Sequence, residues 1–349
     1  MQAGLPLESA IAEIVSEIRT RERMKMELAR RITGDPGASE LLRRVGELTP
    51  AGISVCGIDG GLLQLSLSTL DIVVVRAVAA IFRYAGRSLV SVGYYPSERV
   101  PPHFFLLKEP LDSARAGTLA GMRRQMLEVS CATGVVRGGM ADLVLLDGSV
   151  VPQYVERFSD SPECSSLYDE LMEAYVGLYE EADDGRIMLA GFVKDSRGRR
   201  FCEILSERLN LDGEGRRFLS GSRDTAILDA ILPKGWRTVA FPYAEESPQR
   251  PDLKGWGSRV YAFYMRVSEF DYPFRVEFLS TAGSPEEEAD RISSLVGFLS
   301  SFGLNTSIPP VLVEADLRAR LREEADWIQD RIVDRLGLGF LTRRDRRPF

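Results

Sequence analysis

Two acidic residues, each next to glycine and each after an apolar run, could bind a divalent cation together. Asp59 lies in Gly57-Ile58-Asp59-Gly60-Gly61 after the apolar run 53–56, and Asp147 lies in Asp147-Gly148-Ser149 after the apolar run 143–146. An Asp at the end of a buried strand displays its carboxylate where the strand opens to solvent, and glycines let another backbone or a phosphate approach closely. Asp-Gly is also a common turn signal, so one copy alone does not indicate a site. The two copies together favour a divalent-metal site.

A third carboxylate, Glu128, lies between apolar residues in the predicted helix 112–134. A carboxylate in that position is usually a boundary residue between the buried and exposed faces of a helix. The strand that follows delivers Asp147, so the helix–strand order could bring the two carboxylates together. We therefore add Glu128 to Asp59 and Asp147 as a candidate site residue. Asp142 begins the same strand and points to its opposite end, so it is left out.

Cationic and imidazole side chains offer further candidates. Lys194 ends the predicted strand 186–193, and arginines follow it at positions 197, 199 and 200. This cluster is suited to phosphate contact, although a solvated turn would have the same composition. His103 is the only histidine and could act as a general base, but it follows Pro101-Pro102 at the start of a predicted loop. No neighbouring pattern supports that role for His103.

The composition is that of an ordinary globular protein without a general affinity for nucleic acid. A length of 349 residues suffices for one large domain or two smaller ones. The chain is 44% hydrophobic and 27% charged, which is typical of soluble proteins. The formal net charge is −7, so binding of DNA or RNA would require a local basic patch or bridging metal ions.

Cysteine spacing and hydropathy indicate a cytoplasmic protein that does not enter a membrane. The four cysteines are far apart and form no CxxC pair, so neither a disulfide framework nor a zinc site is predicted. The first residues lack the basic and apolar regions of a signal peptide. The longest apolar run, 72–82, is too short to span a bilayer and contains Arg76.

The order of the predicted elements is typical of an α/β protein with a mixed sheet. A first helix is predicted at 7–33 and a short second helix at 38–47. The segment 53–95 is predicted to be an antiparallel meander, in which 62–69 is a separate strand with one solvated face. The later predictions are, in chain order, helix 163–182, strand 186–193, irregular helices over 199–232 with a cap at Asp224-Thr225, strands 236–243, 260–267 and 274–279, helix 285–302, and one long final helix 311–336.

An ordered series of motifs resembles the NurA family of archaeal and bacterial DNA nucleases. Each motif alone is weak, but the series runs in order over nearly the whole chain. The matching segments are GIDGG at 57–61, VVVRAVA at 73–79, MRRQMLE at 122–128, LVLLDGS at 143–149, GFVKDS at 191–196, FPY at 241–243, YAFYMRV and FRVEF within 261–278, and VLVEADLRARL at 311–321.

The resemblance implies a fold, an activity and partners. The implied fold is a ribonuclease-H-like mixed sheet flanked by helices, with an N-terminal helix and a long C-terminal helix. The implied division is an N-terminal helical segment 1–50, a nuclease domain 51–340 and a basic tail 341–349. The implied activity is hydrolysis of DNA ends and single strands during end resection, supported by Mn²⁺ or Mg²⁺, with two ions expected. The implied assembly is a toroidal homodimer that partners a hexameric HerA-like translocase.

The resemblance also assigns roles to individual residues. It places metal ligands at Asp59, Glu128 and Asp147. Family members usually have a Tyr-Pro and then a His in the last helix, whereas this chain has Ser307-Ile308-Pro309 and then Asp316. Either Asp316 is a substitute ligand, since a carboxylate also binds Mg²⁺ or Mn²⁺ through oxygen, or activity is reduced or lost.

The implied mechanism is two-metal hydrolysis of a phosphodiester, with Lys194 steadying the phosphate or the transition-state charge. Arg266 and Arg275 are lesser candidates for DNA-backbone contacts, with ordinary strand-face residues as the alternative. A second hypothesis is a catalytically weak or inactive subunit that binds DNA or regulates a HerA-type translocase. A third is an actin-like phosphotransfer protein, because Asp-Gly-Gly and Asp-Gly-Ser also mark the phosphate loops of that fold.

Overall fold

One mixed sheet organises the chain, with helices packed on both of its faces. The structure is a computed structural model, and it describes residues 7–67, 70–108, 111–152, 161–209, 211–243, 253–281, 283–303 and 307–336. Within these ranges eleven strands belong to the sheet. The predicted α/β fold class is therefore confirmed. The predicted basic tail 341–349 lies outside the described residues, and the division at residues 50 and 340 stays a prediction.

The sheet combines a parallel centre with antiparallel flanks. In chain order its strands are β1 (Leu42–Arg44), β2 (Ile53–Ser66), β3 (Asp71–Ala85), β4 (Ser88–Tyr95), β5 (His103–Leu107), β6 (Leu143–Leu146), β7 (Met188–Val193), β8 (Trp236–Thr238), β9 (Phe241–Pro242), β10 (Val260–Arg266) and β11 (Phe274–Leu279). Hydrogen bonds connect them in the order β1-β8-β10-β11-β7-β6-β2-β3-β4, with β5 beside β3 and β9 beside β10. Strand β6 runs parallel to both β2 and β7.

The helices cover the two faces of the sheet and extend one of its ends. They are α1 (Leu7–Thr33), α2 (Pro36–Ser39), α3 (Ser113–Arg137), α4 (Pro162–Gly185), α5 (Arg200–Arg208), α6 (Gly213–Ser220), α7 (Asp224–Ile231), α8 (Pro285–Ser300), α9 (Pro310–Ala319) and α10 (Arg322–Leu336). Helices α3 and α4 share one buried core with the sheet, and α8 and α9 share a second core on the other face. Of the helices described, none is long and apolar enough to cross a bilayer. All four cysteines are buried free thiols.

Strand β2 is continuous through the glycine-rich motif. It pairs with β3 without interruption from Ile53 opposite Tyr84 to Ser66 opposite Asp71. The predictions that Asp59 ends a strand and that 62–69 forms a separate strand are therefore wrong. Gly60 and Gly61 do not terminate the strand, because fourteen consecutive pairs with the apolar strand β3 hold the backbone extended through them.

The glycines of β2 instead allow a helix to approach the sheet. A Cβ atom at Gly57 would lie 2.6 Å from the carbonyl oxygen of Val311, and one at Gly61 would collide with the carbonyl oxygen of Ala319. Both contacts are to the backbone of α9, so α9 lies directly across β2. Alternate residues of a strand share a face, so Asp59 faces α9 together with Gly57 and Gly61.

Several short segments have a structure that local patterns did not indicate. The predicted helix 38–47 is wrong, because α2 is a single turn and β1 then pairs with β8, Leu42 lying opposite Thr238. The predicted strand 236–243 consists of two short strands, β8 and β9. His103 begins β5 rather than a loop and lies opposite Val75 of β3. In each case pairing with a strand distant in the sequence decides the outcome.

The predicted cap at Asp224-Thr225 belongs to a different helix. The buried Asp224 carboxylate accepts hydrogen bonds from the backbone N–H of Phe201 at 3.1 Å and of Cys202 at 2.8 Å. These are donors in the first turn of α5, whereas α7 has Arg223 at its N-cap and no side-chain cap. Asp224 therefore ties α7 to the start of α5.

The predicted final helix 311–336 is broken into α9 and α10. Arg320 has an extended backbone, with φ −56° and ψ 139°. Arg76 of β3 donates from Nη1 to the carbonyl oxygens of Arg318 at 3.4 Å and Arg320 at 3.2 Å. These carbonyls lie at the end of α9, where the helix itself supplies no donors. The break lets α10 pack against the distal end of the β2–β3 pair.

We expect Gly57→Ala to destabilise the protein, because the added methyl group must displace the backbone of α9. Overpacking of this kind costs about 1–3 kcal/mol of unfolding free energy. Urea denaturation measures the difference. The matched control is Gly93→Ala in β4, where a Cβ atom would meet no atom within 4 Å. Equal unfolding free energies for the two variants would contradict the close approach of α9.

Candidate active site

Asp59 lies on β2, and Asp147 directly follows the neighbouring parallel strand β6. Ile58 of β2 lies opposite Leu146 of β6, and the backbone N–H of Asp147 donates to the carbonyl oxygen of Ile58 at 2.9 Å. Strand β6 ends at Leu146, whereas β2 continues to Ser66. The sheet therefore opens beside Asp59, and side chains from its two faces can meet at that edge.

Glu128 reaches this edge from α3, on the face opposite α9. A Cβ atom at Gly60 would collide with Oε1 of Glu128 and would lie 2.8 Å from Cγ of Arg124. The absence of a side chain at Gly60 therefore makes room for Glu128. Leu119, Met122 and Val129 of α3 are buried against the sheet. This packing fixes the register that points Glu128 at β2.

Asp316 approaches from the other face of the sheet. It lies on α9 between the two backbone contacts that α9 makes with β2, at Val311 and Ala319. The pKa of Asp59 is raised chiefly by desolvation and by Asp147, and the negative charge of Asp316 adds a smaller contribution. Arg320, one turn later on the chain, donates a hydrogen bond to the Asp316 carboxylate.

Burial and like charge raise the pKa of two site carboxylates. The pKa of Asp59 rises to about 6, chiefly because the group is desolvated and then because Asp147 is close. The pKa of Glu128 rises to about 7, again chiefly through desolvation, with the charges of Asp59 and Asp147 adding to it. Arg124 and the backbone N–H of Gly60 oppose both shifts. Strongly shifted carboxylates in one cluster are typical of functional sites.

Cations of the protein neutralise the four carboxylates. Arg124 Nη1 lies 3.0 Å from Glu128 Oε1 and 4.0 Å from Asp59 Oδ1. Lys194, which follows β7, places Nζ 2.6 Å from Asp147 Oδ2. The described residues contain no three acidic, histidine or cysteine side chains that already converge at ligating distance around one point. In this arrangement the carboxylates are thus held by arginine and lysine.

The same residues fit a divalent cation. Oxygen ligands from clustered carboxylates are the set that Mg²⁺ and Mn²⁺ prefer. Oε1 of Glu128 is buried and accepts no hydrogen bond of good geometry from any described residue. A cation there would satisfy this oxygen and relieve the repulsion that raises the pKa of Asp59 and Glu128. Asp59, Glu128, Asp147 and Asp316 are the residues that could hold it.

Arg275 and Arg266 lie away from this edge. Arg275 is 5% exposed and forms a 2.8 Å ion pair with Glu277. Its predicted contact with DNA does not fit this buried position. Arg266 is half-buried and donates to the carbonyl oxygens of Asp229 at 2.9 Å and Ser268 at 3.2 Å. Both arginines therefore stabilise the sheet end that carries β8, β10 and β11.

Arg124 and Arg320 belong to the site, although sequence reasoning missed them. A signal for both was present, because each arginine lies four residues from a candidate carboxylate on a helix or its end. Residues at that spacing are neighbours on a helix surface. Arg124 pairs with Glu128, and Arg320 pairs with Asp316.

Comparison with known families and structures identifies the family of this chain. The fold is an α/β fold built on one mixed sheet. The family model of the NurA domain matches residues 53–321, which is most of the chain. The protein therefore belongs to the NurA family of nucleases. No curated protein matches the sequence at a significant level.

Crystal structures of NurA share the fold across nearly the full length. The NurA nuclease from Sulfolobus solfataricus is 15% identical with a TM-score of 0.60, over 95% of this chain and 99% of that chain. A structure of NurA with manganese is 13% identical with a TM-score of 0.53, over 94% and 98% of the two chains. A structure of NurA bound to dAMP and manganese is 14% identical with a TM-score of 0.50, over 97% and 98%. At these identities the similarity establishes the fold.

We expect the raised pKa values of Asp59 and Glu128 to lower stability as pH increases in a chelating buffer. The native state retains protons that the unfolded state has lost above about pH 4, so the unfolding free energy falls from about pH 4 until both groups ionise near pH 7. Asp59→Asn removes one of these groups. Its stability relative to the wild type should increase by on the order of 2–3 kcal/mol between pH 4 and pH 8.

Chemical denaturation at the two pH values measures this difference. Asp195→Asn is the matched control, because Asp195 is exposed and adjoins Lys194 without belonging to the cluster. The control should show no such pH dependence. A pH-independent difference between Asp59→Asn and the wild type would contradict the burial of an acidic cluster at this edge.

Proposed function

We propose that the protein is a divalent-metal-dependent deoxyribonuclease that hydrolyses phosphodiester bonds at DNA ends and in single strands. The observation that carries the proposal is the position of Asp59 beside Asp147 where β6 ends, with Glu128 and Asp316 approaching from opposite faces. Membership of the NurA family supports the same reaction. It favours this function over an actin-like phosphotransfer protein.

The four carboxylates act as the cation ligands in this proposal. Asp59 projects from β2, and Asp147 directly follows β6 with its backbone N–H bonded to the carbonyl oxygen of Ile58. Bound Mn²⁺ or Mg²⁺, with two ions expected, would lower the pKa of a ligating water and neutralise phosphate charge. A cation bound to these carboxylates would compete with Arg124 for Glu128 and Asp59, and the freed guanidinium would be available to a phosphate oxygen.

Lys194 has the position of a phosphate ligand. Its side chain is 38% exposed, while its ammonium group is hydrogen-bonded to Asp147. Asp147 therefore orients Nζ at the edge of the acidic cluster, and the exposed part leaves it accessible to a substrate. A fixed cation at this place stabilises the negative charge that increases on the phosphate oxygens in the transition state.

Asp316 is proposed to replace the histidine that family members usually have in the last helix. Support comes from its position on α9, which crosses β2 at Gly57 and Gly61, and from its electrostatic contact with Asp59. A carboxylate supplies the oxygen that a hard cation prefers. The alternative, a DNA-binding subunit of little or no activity, predicts that Asp316 is dispensable.

We further propose that the protein acts in DNA end resection, that its partner is a HerA-like hexameric translocase and that it is located in the cytoplasm. These proposals are supported by family membership, and the NurA structure with bound dAMP supports a nucleotide-containing substrate. Four buried thiols without a disulfide are compatible with a reducing compartment.

A homodimer is supported by the surface of α1. Its first half exposes an apolar stripe at heptad spacing, formed by Leu7, Ile11, Ile14 and Ile18. We therefore propose that a second copy of the chain covers this stripe.

We expect Asp59→Asn and Asp147→Asn each to abolish Mn²⁺-dependent digestion of a labelled DNA single strand, because each removes an anionic ligand without changing side-chain volume. Asp316→Ala should lower the rate strongly, and Asp316→His should restore part of it if the position serves as a ligand. Asp195→Asn, with an exposed carboxylate next to Lys194, should digest DNA at the wild-type rate.

The outcome separates the two proposed functions. Wild-type rates in purified Asp59→Asn or Asp147→Asn would refute the site assignment. An intact single strand after incubation of the wild-type protein with Mn²⁺, together with retained DNA binding, would identify a binding subunit instead. Circular dichroism and urea denaturation confirm that each variant is folded.

We expect Ile14→Lys with Ile18→Lys to convert the dimer to a monomer. The lysines would place charged side chains against the apolar stripe of the second copy. Analytical ultracentrifugation measures the mass in solution. Ser16→Lys is the matched control, since Ser16 is also exposed and lies on the opposite side of α1. A dimer that survives in the double variant would show that another surface mediates association.

A further inference from the structure

A second, basic cleft lies beside the acidic cluster. It is about 630 Å³ in volume and lies between β3, the segment after β4, and the junction of α9 and α10. Five arginines line it: Arg76, Arg99, Arg318, Arg320 and Arg322. Two acidic residues, Glu98 and Glu324, also line it, so the lining is positively charged in a chain whose net charge is −7. We refer to this feature as the arginine cleft.

A smaller hollow shares lining residues with the arginine cleft and with the acidic cluster. It has a volume of about 410 Å³, and Gly61, Asp316, Arg320 and Arg322 are among the residues that line it. Gly61 and Asp316 belong to the surroundings of Asp59, while Arg320 and Arg322 also line the arginine cleft. The arginine cleft therefore adjoins Asp316, one of the four carboxylates of the acidic cluster.

Two of the five arginines differ from the others in forming no ion pair within the described residues. Arg76 pairs with Glu324, Arg318 with Glu314, and Arg320 with Asp316. These pairs hold the wall of the cleft in place. Arg99 and Arg322 are exposed, and neither forms an ion pair with an acidic residue in the described ranges. Guanidinium groups in this state suit phosphate oxygens, which they can contact through two N–H groups.

An exposed aromatic ring lies next to the cleft on α10. Trp327 is 59% exposed, with the guanidinium of Arg331 5.6 Å from its ring centre. Glu324 lines the cleft and is three residues earlier on the helix, so the two side chains are neighbours on its surface. A basic groove followed by an exposed aromatic side chain is the arrangement that binds single-stranded nucleic acid, whose unstacked bases can stack on the ring.

We propose that the arginine cleft binds the phosphodiester backbone of a DNA single strand, with Arg99 and Arg322 on successive phosphates and a base on Trp327. The inference rests on the proposed function in one respect, because it places the scissile phosphate of that same strand at the acidic cluster. Duplex DNA lacks an unstacked base for Trp327, so the site selects single strands.

DNA binding in EDTA tests the cleft separately from catalysis. Fluorescence anisotropy of a labelled oligothymidylate of twenty nucleotides is measured over a series of salt concentrations. For Arg99→Gln with Arg322→Gln we expect affinity about tenfold or more weaker at low salt. Loss of two phosphate contacts should also reduce the slope of log K against log salt by about 1.4. The matched control, Arg216→Gln with Arg291→Gln, removes two exposed arginines outside the cleft and should bind nearly as the wild type does.

Trp327→Ala distinguishes stacking from charge. We expect roughly fivefold or more weaker binding of the single strand, with an unchanged salt slope.

Two results would overturn the proposed cleft. One is an equal loss of affinity in Arg99→Gln with Arg322→Gln and in its control, and the other is a wild-type protein that does not bind the oligonucleotide in EDTA. Unchanged binding by Trp327→Ala, or an equal loss on duplex DNA, would overturn the single-strand assignment. The binding assay does not depend on cleavage. If the protein fails to digest DNA with Mn²⁺ but shows the arginine-dependent salt slope in EDTA, the cleft proposal stands and the nuclease proposal is refuted.

Discussion

Repulsion among carboxylates that are buried together is the constraint on which this structure depends. Asp59 and Asp147 are adjacent because β6 runs parallel to β2 and ends where the second acid begins. Glu128 and Asp316 arrive from helices on opposite faces of the sheet. Such an arrangement is costly without compensating charge, since like charges in a partly desolvated site disfavour ionisation. The raised pKa values of Asp59 and Glu128 express that cost.

The surrounding chain supplies both the geometry and the compensation. Gly57 and Gly61 admit the backbone of α9, and Gly60 admits Glu128, so three glycines of one strand set the distances between the elements that carry the acids. Arg124, Lys194 and Arg320 then neutralise the carboxylates. In the proposed function a divalent ion would take the place of these cations at the carboxylates. Arg320, which pairs with Asp316, also lines the arginine cleft, so the proposed metal site and the proposed strand site share one residue.

The sequence predicted the pairing of Asp59 with Asp147 because both follow apolar strand-like runs. The prediction that the glycines end the strand was wrong. Glycine is favoured both in a turn and where a helix crosses close to a strand, so the residue type alone does not distinguish the two. The break between α9 and α10 depends on Arg76, which is distant in sequence, and no local pattern marks it. Alternation placed Arg275 and Glu277 on one face correctly but could not reveal that this face is buried. The ion pair of Arg124 with Glu128 was accessible from spacing alone.

Anomalous diffraction from crystals grown with Mn²⁺ tests the central claim most directly, because it locates the ions without relying on activity. The account predicts manganese peaks within bonding distance of carboxylate oxygens of both Asp59 and Asp147, with Arg124 or Lys194 displaced from its carboxylate. Manganese bound elsewhere, or no peak at this edge of the sheet at saturating Mn²⁺, would contradict it.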